Sequence, residues 1–126
     1  MKKKSVYIIV WAFALVFLYS CTKDATKQAA LVNCSTVNAV NNTFNLNINP
    51  NIVSVYCAYS PCHAGGAPGG GIDMSTYAGT VSAFQTKNVI CAVKGAGCEL
   101  MPKNLRALPD SLILQMECWQ QNGFPQ

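Results

Sequence analysis

The chain has 126 residues, 51% of them apolar and 11% charged, with a formal net charge of +4. That is room for one domain; it excludes a disordered polar tail and a nucleic-acid binder built on a dense basic stripe. Seven cysteines and one histidine are the unusual counts. A single histidine excludes any site that needs two imidazoles from one chain, including multi-histidine zinc catalysis and bis-histidine haem ligation.

The amino-terminal segment reads as an address. Lys2, Lys3 and Lys4 form a positive leader, and Val6 to Tyr19 is an unbroken run of fourteen residues. A spanning helix needs about 20 apolar residues, so residues 1–20 are expected to be a signal peptide. Leu18-Tyr19-Ser20-Cys21 resembles a bacterial lipobox, which makes Cys21 the expected lipidation site. An ordinary secretory signal cut near Ser20, with Cys21 free for a disulfide, is the alternative, and an uncleaved anchor is a third. Without residues 1–20 the chain keeps Lys23, Lys27, Lys87, Lys94, Lys103 and Arg106 against Asp24, Asp73, Glu99, Asp110 and Glu117, a balance of +1. The basic excess belongs mostly to the leader, so no nucleic-acid partner is expected. Export would place the other cysteines where disulfides persist.

Residues 21–48 are rich in Asn, Thr and Ala and are expected to be a tether, leaving 49–126 as the domain. Within the tether, Phe44-Asn45-Leu46-Asn47-Ile48 alternates with period two and can be a short strand. Three helices are expected after it. The first runs from about Pro50 to Tyr59, capped by Asn49, with Ile52, Val55, Tyr56 and Tyr59 on one face. The second runs from about Ser75 to Gln85. The third, from about Pro109 to Gln121, carries Leu112, Met116 and Trp119 as its stripe with Ile113 flanking. A Gly/Pro loop (64–71) and a loop over 87–108 lie between them. A domain this small buries little surface, and disulfides, a metal or a cofactor usually support it.

The chemistry-bearing segment is Cys57-Ala58-Tyr59-Ser60-Pro61-Cys62-His63. Two cysteines with a histidine directly after the second is the layout of c-type haem attachment. The thiols add to the haem vinyl groups, and the adjacent imidazole falls beneath the iron as proximal ligand. The usual spacing has two intervening residues; here there are four. A Cys57–Cys62 disulfide beside a bystander His63, or a zinc site completed by other cysteines, uses the same residues. A second axial ligand would have to come from Met74, Met101 or Met116. Met74 precedes the second helix and Met116 lies on the third helix's stripe, so both read as packing residues. Met101 lies in a loop and is followed by Pro102; it either reaches the distal face of a haem or plugs the core.

Residues 48–126 resemble a small class I c-type cytochrome domain of an exported bacterial lipoprotein. Ile48 to Val53 is similar to that family's first helix. Cys57 and Cys62-His63 match its attachment motif in a C-x4-C-H variant. Gly71 to Gly79 resembles the passage into its middle helix, Met101-Pro102 its distal-ligand loop, and Leu108-Pro109-Asp110 with Trp119 and Asn122 to Pro125 its closing helix. The resemblance implies an all-α, cytochrome c-like domain of about three helices and long loops around one covalent haem c. It implies Cys57 and Cys62 as thioether attachments, His63 and Met101 as iron ligands, and a carbonyl of the 64–71 loop, with Pro68 the choice, on His63 Nδ1. Tyr56, Tyr59, Tyr77, Arg106 and Trp119 would line the pocket or meet the propionates. Of the other cysteines, Cys91 and Cys98 flank a turn-prone Lys94-Gly95-Ala96-Gly97, so a local bridge is expected, leaving Cys34 to pair with Cys118; free buried thiols are the alternative. The expected function is electron transfer rather than enzymatic catalysis, by a carrier lipid-anchored to a bacterial membrane and serving a redox partner protein. The rival is a disulfide-stapled surface lipoprotein domain without haem, acting as a binding or structural module.

Overall fold

The computed structural model describes residues 31–59 and 61–126. The expected signal peptide, Cys21 and the tether up to residue 30 lie outside them. Val32–Gln126 forms one compact unit. It is helical, with no strand among the described residues: α1 (Phe44–Cys57), a 3₁₀ turn (Gly69–Gly71), α2 (Tyr77–Thr86), α3 (Val89–Lys94) and α4 (Asp110–Gln121).

Helix α1 departs most from expectation. It starts at Phe44, six residues before Pro50, and absorbs the segment read as a strand. Thr43 caps it, its side-chain oxygen accepting from the Leu46 N–H. The winding is of the wide π type: Ile48 N–H donates to Thr43 O at 3.0 Å and Ala58 N–H to Val53 O at 2.7 Å, each five residues back. The strand reading fails because burial does not alternate. Phe44 and Ile48 are buried while Leu46 is 63% exposed. Burial instead recurs at 44, 48, 52–53 and 57, the period of a wide helix. The same winding turns Val55 and Tyr59 outward, so the face expected to pack is Ile52 and Val53 with half-buried Tyr56. Pro50 sits on the exposed side inside the helix. Residues 32–43, placed in the tether by composition, belong to the compact unit, and Asn42 is buried in it.

Helices α2 and α4 lie within two residues of their expected ends. Helix α3 falls inside the expected 87–108 loop. It ends at Gly95, whose left-handed conformation (φ 65°) suits a glycine C-cap.

The core is centred on Trp119 of α4, which is fully buried. Its ring meets Phe124 at 4.9 Å, Phe84 at 5.3 Å and Phe44 at 6.0 Å between centroids. Ile113 and Met116 extend the same face of α4, and Ile48, Ile52 and Val53 meet it from α1. The chain end folds back over this cluster. Gly123 and Phe124 both take positive φ and reverse the chain after α4. Trp119 Nε1–H then donates to Pro125 O at 2.9 Å, and the Tyr77 hydroxyl donates to Phe124 O at 2.7 Å. Phe44 N–H donates to Pro125 O and Asn45 N–H to Gln126 O, so two of the unpaired donors that open any helix are satisfied by the last two residues.

Two disulfides close the unit, Cys34–Cys118 and Cys91–Cys98, with sequence separations of 84 and 7. On chain-entropy grounds the long loop contributes about 4–5 kcal/mol and the short one about 2–3 kcal/mol. Replacing Cys34 and Cys118 together by serine is therefore expected to lower unfolding stability in urea more than replacing Cys91 and Cys98. Trp119→Ala removes the centre of the aromatic cluster and one of the two donors to the Pro125 carbonyl. It is expected to cost about 3–5 kcal/mol, measurable as a lower urea midpoint at unchanged pH. Trp119→Phe should recover part of that loss.

Candidate functional site

Helix α1 delivers Cys57 as its last residue, buried at the edge of the core. The chain then turns sharply. Tyr59 N–H donates to Cys57 O at 3.1 Å and Cys62 N–H to Tyr59 O at 2.6 Å. His63 N–H also donates to Cys57 O, at 3.1 Å. This last bond closes the longer spacing: the four intervening residues loop out, and the histidine backbone returns to the residue that ends the helix. Cys57, Cys62 and His63 are thus brought together by main-chain bonds rather than by side-chain packing.

The following loop holds the imidazole. Met74 N–H donates to His63 O at 2.8 Å, and Gly69 N–H donates to Cys62 O. A methyl group at Gly69 would lie 3.0 Å from Cys62 O and 3.9 Å from His63 Cε1, so any larger residue would press on the Cys62 carbonyl and shift it by a few tenths of an ångström. His63 Nδ1 lies 3.1 Å from Ile72 O. The carbonyl can only accept, so Nδ1 carries the proton and Nε2 keeps its lone pair. The acceptor is therefore Ile72, one residue past the glycine loop, and not Pro68, whose extended backbone only leads into the 3₁₀ turn.

Burial separates the two thiols. Cys57 is 8% exposed, whereas Cys62 is half-buried. Burial first, and the neighbouring Cys62 second, push the Cys57 thiol up to about 11. Hydrogen bonding to Cys62 and its charge also hold the exposed Tyr59 hydroxyl above its ordinary value.

The three methionines occupy different settings. Met74 and Met116 are buried in the core, and Thr80 Oγ1–H donates to Met74 O. Met101 is half-buried, on the loop after α3. Its N–H donates to Ala92 O at 3.0 Å, Leu108 N–H donates to Val93 O, and Cys91–Cys98 closes the turn that leads from α3 to Met101. The loop is fastened to α3 at both ends, and no hydrogen bond joins it to the cysteine–histidine turn among the described residues. Tyr77 and Trp119 direct their polar atoms to the chain-end carbonyls, so both serve the core; Arg106 is exposed.

Ile72 and Gly69 were beyond sequence reasoning, because a main-chain acceptor has no residue signature and one glycine in a glycine-rich run looks like another. Among the described residues, no three His, Cys, Asp or Glu side chains converge on a metal position. Cys34, Cys91, Cys98 and Cys118 are held in disulfides, which removes the ligands a zinc reading of Cys57 and Cys62 would need. A cleft of 440 Å³ lies elsewhere, between residues 36–42, α1 and α4, and none of the cysteine–histidine turn lines it.

No known protein family, curated protein or solved structure matches the chain. No helix among the described residues is long and apolar enough to cross a membrane. The two disulfides suit an oxidising, exported setting.

The raised Cys57 thiol carries a linkage consequence for protein with both thiols free. Between about pH 9 and 11 the unfolded chain loses this proton while the folded chain keeps it. Folding stability should therefore be intact below pH 9 and fall by about 2–3 kcal/mol on passing to pH 11. Urea unfolding at stepped pH checks this, with the Cys57→Ala variant expected to lack that part of the decline.

Proposed function

We propose that the chain is a c-type cytochrome domain that carries electrons, exported and anchored to a bacterial membrane through lipid on Cys21. One observation carries the reading. The compact unit uses four cysteines in disulfides, and the two left as thiols are the pair that ends beside its only histidine. In an oxidising compartment, free thiols with only four residues between them tend to become a disulfide, unless another chemistry takes them.

The donor set fits a covalent haem. Cys57 and Cys62 supply the two thiols for thioether attachment. His63 has its Nδ1 proton engaged by Ile72 O, which orients the ring and leaves Nε2 for iron. Met101 is the one of the three methionines not given to the core, and its fastened loop suits a ligand that must not wander. Haem, once bound, supplies the one-electron couple. With His63 and Met101 both given to the iron, no coordination position would remain for a substrate, and the methionine would favour a raised reduction potential. The chain's own work is to hold the two ligands, exclude water from Cys57, and present the domain to a redox partner.

Protein matured in a haem-attaching bacterial host should show a c-type visible spectrum, and its haem should stay with the polypeptide through acid–acetone extraction. A colourless, well-folded product would favour the rival, a disulfide-stapled lipoprotein module, for which the two disulfides and the closed aromatic core are sufficient support. Met101→His should keep a low-spin spectrum and lower the reduction potential, and Met101→Ala should admit added ligands with covalent haem retained. Met74→Ala should cost about 2–5 kcal/mol of stability and leave the methionine–iron signature in magnetic circular dichroism unchanged. Loss of that signature in Met74→Ala, with its survival in Met101→Ala, would reverse the assignment.

A further inference from the structure

The 440 Å³ cleft lies away from the cysteine–histidine turn, and what it binds is independent of the haem reading. Thr36, Val37 and Asn38 form one wall, α1 a second and α4 a third. No Asp, Glu, Lys, Arg or His lines it. Its polar lining is largely side-chain amide. An amide both donates and accepts, so the lining matches a ligand that does both. A charged ligand would lose water here with no counter-charge to meet it.

These amides are ordered before any ligand arrives. Asn42, 2% exposed, donates through Nδ2 to Gln115 O at 3.0 Å. Asn47 uses Nδ2 on both Asn42 Oδ1 and Gln115 Oε1, each at 2.8 Å. Asn51 Nδ2 donates to Asn47 Oδ1 at 2.9 Å. At the ends of this row Gln115 Nε2–H and Asn51 Oδ1 lack a protein partner among the described residues, and on the remaining wall the Asn41 side-chain amide lacks one for both its donor and its acceptor. Leu46, 63% exposed, and Leu114 add apolar surface beside them.

The wall at residues 36–38 is pinned as well. Cys34 is bonded to Cys118 of α4. Val32 N–H donates to Gln121 Oε1 at 2.9 Å, and Gln121 Nε2–H returns to Val32 O at 3.2 Å. The segment entering residues 36–38 is therefore clamped to α4 at two points. A rigid site loses less entropy on binding.

We propose that this cleft is a binding site for a small uncharged saccharide. Ring hydroxyls donate and accept as the amides do, and a sugar's C–H face suits Leu46 and Leu114. The volume lies within the range of small-ligand sites. A peptide strand is less well matched, because it presents a linear ladder of groups and the unpartnered amide atoms here are spread over all three walls.

The test uses the full chain, isotope-labelled, with the side-chain amide resonances of Gln115 and Asn51 as readout. Maltose and chitobiose are the neutral probes, glucuronate the charged comparator and a neutral glycine-serine peptide the other class. At least one neutral disaccharide should shift both amides saturably, while glucuronate and the peptide do not. Asn51→Ala, at an exposed position, should weaken that binding about tenfold. Ser111→Trp, which fills the cleft from the exposed first turn of α4, should abolish it with the backbone spectrum otherwise retained. The proposal is overturned if neither disaccharide shifts the amides, if glucuronate or the peptide shifts them as strongly, or if binding survives Ser111→Trp.

Discussion

The return of the chain end onto Trp119 is the interaction on which the rest depends. A domain of this size has few ways to bury a large aromatic ring completely, and Phe44 of α1 and Phe84 of α2 each meet the indole. Phe124 of the tail makes the closest ring contact, and Pro125 supplies the acceptor that a buried indole N–H needs. The same carbonyl accepts from the opening turn of α1. One short tail thus completes the core and starts the first helix. Everything placed by α1, including Cys57 at its far end, inherits its position from that closure.

The cysteine–histidine turn shows how an irregular spacing is accommodated. Hydrogen bonds from both Tyr59 N–H and His63 N–H to a single carbonyl, that of Cys57, let the intervening residues loop outward. The wide winding of α1 helps, because it ends with Cys57 facing the core while Tyr59 faces solvent. The imidazole is then oriented by a carbonyl rather than a carboxylate, which fixes the tautomer without placing a charge beside the ring.

Much of the helical order was legible in the residues. Pro109-Asp110 and Asn122-Gly123 bracket α4 within a residue or two, and the stripe of Met116 and Trp119 is its buried face. Met74 and Met116 read as packing residues and are buried. The start of α1 was not legible. Asn-rich composition argues for turns, since the amide competes for backbone bonds, yet here the amides bond to one another and to α4, and tertiary contact overrides the local preference. Period-two spacing at Phe44, Leu46 and Ile48 is too short a run to separate a strand from a wide helix. Short α3 lacks a long periodic pattern, and its existence rests on the Gly95 cap and the bridge beside it. The cysteine–histidine cluster was visible as residue types; its main-chain acceptor was not.

The tail that closes the core has a consequence for cooperativity. Pro125 O is shared by two donors, the Trp119 indole N–H and the Phe44 N–H that opens α1. A displacement of that one carbonyl unseats the central ring and the first turn of the helix together. The core and the helix that delivers Cys57 are therefore coupled through a single atom, and they should loosen in one step rather than one after the other.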